Sequence, residues 1–212
     1  MTTAKHEDIY KLNMEMQEAF LRERTEPNLE RYVMSELLSP IEDYAHVMQL
    51  VKENEAIIQN LHLYYVAAEL ASNWKPDDTY FLNKLNGLLP EVPENDKAII
   101  YYLNALYAQH ASGRDSREYR EYLQKSVDCS SNMKFVNNKY DLACISHGRQ
   151  AEKLLSEAFK DIETIETQEG LQYKPNEYWL NIHRWIKEFI LGTETTKDAL
   201  ELKKYEGINH AY

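Results

Sequence analysis

The chain is short of the residues that usually announce chemistry. Two cysteines, Cys129 and Cys144, stand in 212 residues with no C-x-x-C, too few for a disulfide framework and simplest as reduced thiols. There are six glycines and six prolines. Nearly all fall between periodic runs, so they read as joints rather than linkers. No stretch alternates Val, Ile and Thr, so no sheet is expected. There is no G-x-S-x-G, P-loop, dinucleotide fingerprint or H-E-x-x-H, and no two of the seven histidines sit at i, i+4; no metal or cofactor is expected. The opening MTTAKHEDIY has no leader-type apolar core, and the longest uncharged run, 57–68, is too short and polar for a bilayer. The expectation is a cytoplasmic chain away from membranes.

Basic charge is scarce too. Lys+Arg number 24 against 35 Asp+Glu, a net charge of −11. That argues against nucleic-acid binding, which phosphate neutralisation dominates. It keeps the chain soluble and suits a basic partner.

What is abundant is helical periodicity and tyrosine, of which there are 16. Helices are expected over 5–23, from Pro27, after a cap at Ser39-Pro40-Ile41-Glu42, and over 57–74, 78–89 and 98–127 with a joint at Gly113. Asp115 to Glu118 has the spacing of a capping box. Ser130 to Asn138 reads as a loop pinned by Phe135. Further helices are expected over 139–146, 150–165, 177–191 and 195–205. The expected class is all-α, about 9–11 helices, one domain over 1–212, with an N-terminal helical segment 1–53 packed on hairpins over 55–205.

Shifting the chain by 37 positions overlays two of these hairpins. Tyr64-Tyr65 falls on Tyr101-Tyr102, Ala68 and Ala71 on Ala105 and Ala108, Pro76 on Gly113, Asp78 on Asp115. Tyr140 with Ala143, and then 178–205, look like further units. Helical pairs at fixed period stack side by side and bury one another's apolar faces. The spacing resembles that of tetratricopeptide (TPR-like) repeats over about 55–205. The second helices depart from that family, with Tyr119 and Leu123 where alanines are usual, and the period exceeds the family's usual one. The resemblance implies an α-solenoid whose first helices line a concave face. On this chain Tyr65, Glu69 and Ser72, Tyr102, Leu106 and Gln109, and His183 would then point into it as ligand contacts.

The function expected is a non-catalytic cytosolic binding or scaffold protein that holds a peptide or protein segment. Bacterial peptide-pheromone receptors use such repeats. Two other readings compete: an acidic inhibitor or immunity-type protein blocking a basic partner, and an enzyme with a dispersed site. Three constellations bear on the last. Asp77-Asp78 resembles the aspartate-rich motif of helical prenyl-chain enzymes, but Phe81 and Leu82 stand where a further carboxylate is needed. Asp43-x-x-His46 has half of a di-iron pattern. Cys144 and His147 share a helical turn, as a thiolate–imidazole pair would.

Overall fold

The structure, a computed structural model, describes residues 2–37, 44–131 and 135–169. The expected cap at 39–42, Asp43, His183 and the helices expected over 177–205 lie outside the described residues. Within them the chain is all-α, with no strand. Nine α-helices follow in order: α1 (Thr2–Arg22), α2 (Glu26–Leu37), α3 (Tyr44–Glu53), α4 (His62–Trp74), α5 (Tyr80–Leu88), α6 (Glu94–Ser112), α7 (Arg117–Cys129), α8 (Val136–Cys144) and α9 (Gly148–Glu169). Among the described residues no helix is long and apolar enough to cross a membrane. The helices fall into two compact units, Met1–Ala111 and Ser112–Tyr212.

The first unit is built by apolar stripes. Leu29, Val33, Val51, Leu63, Ala67, Ala68, Ala71, Leu85 and Ile100 are wholly closed to solvent and belong to one cluster. At about 25 cal/mol per Å² such burial is the dominant favourable term. The joints are set by polar groups. Thr25 O accepts from Leu29 N at 3.0 Å, and Asn28 Nδ2 donates to Glu23 O at 3.0 Å, tightening the α1–α2 turn. Pro27 occupies the second position of α2, where its missing N–H is one the helix would leave unpaired. The apolar run from Ile57 does not make one helix. A 3-10 turn covers Glu55–Ile57; the Glu26 carboxylate then accepts from Gln59 N and Asn60 N, both at 2.9 Å. Asn60 Oδ1 accepts from His62 N at 2.9 Å, and α4 starts there.

Helices α4 and α6 touch. Tyr107 Oη lies 3.2 Å from Ala68 O and 3.0 Å from Asp78 O, so one phenol on α6 meets the backbone of α4 and of the turn before α5. Asn86 on α5 and Asn104 on α6 exchange amide hydrogen bonds at 3.0 and 2.7 Å. Tyr44 packs on Trp74, ring centroids 4.3 Å apart, joining α3 to α4.

The second unit packs α8 against both α7 and α9. Its interior is more polar. Asn138, fully buried, donates to Ser126 Oγ at 2.9 Å and to Ser130 Oγ at 3.1 Å. Lys139 pairs with Asp161 on α9, the two side chains only 10% and 18% exposed. Gly113, at φ 85°, follows α6 in the left-handed region that suits a helix stop. The cap of α7 is Ser116, whose side chain accepts from Tyr119 N, one residue past the expected Asp115.

Candidate functional site

An apolar-lined concavity lies between α1 and α2. On α1, Leu12 and Met16 stand one turn apart and face the partner helix. On α2, Leu29, Tyr32 and Val33 are spent on the core, which turns Pro27, Arg31 and Met34 outward. The result is an open groove of about 490 Å³ walled by Leu12, Met16, Pro27 and Met34, with Glu30, Arg31 and Ser35 as its polar lining. That volume falls in the range of ligand pockets. The polar lining is anchored. Ser35, buried, donates to Tyr32 O at 2.8 Å and accepts from Asn13 Nδ2 at 3.4 Å. Glu30 Oε1 lies 2.6 Å from His62 Nδ1. Arg31 is exposed. Two thioethers in the wall give a surface that adapts to irregular apolar shapes. The charged groups of the lining are Glu30, held by His62, and Arg31.

The residues expected from the repeat lie on α4 and α6. Tyr65 is half-buried, its Oη sealed from water. It sits beside the Asp96 carboxylate; burial first, then Asp96, pushes the phenol well above its ordinary range. Glu69 is the exposed member of the set, yet the protein mass around it pushes its carboxyl upward. Ser72 is closed to solvent, at 0% exposure, and its Oγ donates to Glu69 O at 2.7 Å. Tyr102, Leu106 and Gln109 are half-buried. Tyr65 and Leu106 pack on the edge of the same apolar cluster.

The chemistry-bearing constellations have structural employment. Asp78 Oδ1 accepts from Tyr80 N at 3.2 Å at the start of α5, and its carbonyl faces Tyr107. His46 Nε2 lies 3.3 Å from Tyr32 Oη and 3.9 Å from Glu36. Cys144 is half-buried, and burial pushes its thiol up, against a hydrogen bond from Tyr140 that lowers it; a raised thiol is a poor source of thiolate. His147 is exposed. Lys84 donates to Glu55 Oε2 at 2.6 Å and lies 4.9 Å from the centroid of the Tyr64 ring, tying α5 to the 3-10 turn. Among the described residues no three His, Cys, Asp or Glu side chains converge as a metal would require.

The α1–α2 groove was not among the sites expected from sequence. Its signal is present in α1, where Leu12 and Met16 mark one stripe and Tyr10, Met14 and Leu21 mark another, more than one packing partner can use. No protein-family model, curated protein or solved structure matches this chain.

Proposed function

We propose that this protein is a non-catalytic binding protein that takes a short apolar stretch of a peptide or protein, an amphipathic helix, into the α1–α2 groove. The observation that carries the reading is the groove itself: Leu12, Met16, Pro27 and Met34 around about 490 Å³ of open space, with Glu30 and Arg31 at its lip. A helix laid in such a groove is held through apolar anchors at i, i+3 or i+4, and i+7. Arg31, exposed beside Met34, suits an acidic residue flanking those anchors. In this reading the α4–α6 hairpin neighbours are TPR-like units and α1–α2 is a seat added to them.

The test is a display selection of helical peptides on the folded chain, followed by fluorescence anisotropy. Wild type binds a selected peptide; Met34→Arg, on an exposed position, weakens it at least about tenfold, the cost of filling and charging an apolar seat. Equal binding by Met34→Arg contradicts the seat. No enriched peptide contradicts the function.

A second reading keeps the function and moves the seat to α4 and α6. Glu69, the exposed carboxylate of the set on α4 and α6, favours it as a partner for a basic peptide. There Glu69→Gln, and not Met34→Arg, would weaken binding.

A further inference from the structure

α1 carries a second apolar stripe that its own fold leaves in water. Tyr10, Met14 and Leu21 are 69%, 39% and 62% exposed. With Gln17 they follow a 4-3-4 spacing, which sets them on one side of the helix. Leu12 and Met16, in the groove wall, lie on a different side, and Phe20 goes to the core. Gln17 turns its amide toward Tyr32. A 4-3-4 run is the seam of two helices packing at about 20°.

We propose that this stripe pairs with the same stripe of a second copy of the chain, the two α1 helices running antiparallel about a twofold axis between positions 14 and 17. The register sets Tyr10 of one copy against Leu21 of the other, and Met14 against the aliphatic stem of Gln17, whose amide stays with Tyr32 of its own chain. The charges beside the seam decide the direction. On its open flank stand Lys11 and Glu18, both exposed. Antiparallel pairing brings Lys11 of one copy opposite Glu18 of the other, and the symmetry makes the contact twice. Parallel pairing faces them instead with the flank of Asn13 and Phe20, which offers no complementary charge. Lys11 is free to make the exchange. Its contact with Glu15 is 4.0 Å long, between side chains 79% and 57% exposed, the weak solvent-facing kind. The apolar seam supplies affinity and the flanking pairs supply orientation, as at the edges of coiled coils.

Sedimentation velocity of the full chain, over roughly 1 to 200 µM at low salt, tests this. The expected result is a concentration-dependent monomer–dimer equilibrium. Leu21→Glu leaves a monomer. Lys11→Glu and Glu18→Lys each weaken the dimer at least about fivefold, because each sets like charges face to face twice. The double variant K11E/E18K returns to wild-type association. These positions are exposed, and circular dichroism with a urea midpoint on each variant verifies that folding is intact. A chain monomeric throughout overturns the proposal, and so does a double variant no better than the singles.

Discussion

Tyr10, Met14, Leu21 and Met34 on α1 and α2 stand 39–69% exposed, while Leu63, Ala67, Leu85 and Ile100 on α4, α5 and α6 are sealed at 0%. Both sets come from apolar residues at helical spacing. In α4–α6 most of the spacing is used by folding: small Ala67, Ala68 and Ala71 let neighbours approach, Tyr107 finds backbone acceptors for its hydroxyl, and the exposed Trp74 and Tyr80 are covered in part by Tyr44 and Lys52. In α1–α2 one apolar side is used for folding and others are left over. Large apolar side chains left in water at such spacing are the kind of surface on which the proposed contacts rest. On the proposed function the difference separates two tasks: the sealed cluster holds the unit together, and the α1–α2 pair is where a partner would dock.

That contrast can be broken by substitution. Leu63→Ala, deep in the sealed part, is expected to cost about 3 kcal/mol in urea unfolding, while the folded fraction keeps its peptide affinity. A midpoint within error of wild type would contradict the division.

Alkali sharpens it next. Burial pushes the phenols of Tyr32 and Tyr107 up from 10 to about 12. A folded value above the unfolded one means the fold favours the protonated form. Their contribution is therefore whole below pH 10 and is lost as pH rises through 12. At pH 11 the fold should be measurably less stable than at pH 9, read as a falling urea midpoint; Tyr32→Phe with Tyr107→Phe should lessen the fall, the remainder coming from phenols such as Tyr65 and Tyr119 that burial also pushes up.

A smaller loss is expected at Asn104. It is buried, donates to Ile100 O at 2.8 Å and exchanges bonds with Asn86. Asn104→Ala leaves the half-buried Asn86 amide short of its partner and should cost about 2 kcal/mol. Least of all, Leu21→Ser and Met34→Arg on the edge pair should stay within about 0.5 kcal/mol of wild type. A large loss at either would mean that α1 and α2 are sealed after all.

Helix content was readable from the apolar periods, because most of these helices bury one stripe. Where the reading slipped, polar groups had taken over. The run from Ile57 is apolar enough to continue a helix, but a distant residue, Glu26, claims the amides of Gln59 and Asn60; nothing local announces that. α8 begins at Val136, inside the stretch expected to be a loop, because its buried residues include Asn138 and Lys139. Their partners come from elsewhere, Ser126 from α7, Ser130 from the turn after it and Asp161 from α9, so pattern reading sees only a polar segment. At α7 two adjacent residues, Asp115 and Ser116, both suit a cap, and the serine takes it. The candidate site was the least readable part. Spacing places Ser72 with Tyr65 and Glu69 on one face, but the packing around the end of α4 closes over it. Conversely, the α1 pattern marks the surplus apolar sides without saying that α2 leaves one of them open as a groove.

The most direct test of the binding claim is a methyl spectrum of the chain labelled at methionine, recorded as a selected peptide is added. Met16 and Met34 wall the groove, whereas Met48 packs against the core from α3. The expected result is movement of the Met16 and Met34 methyls, saturating together, with Met48 still. Saturable binding that leaves Met16 and Met34 in place would contradict the account.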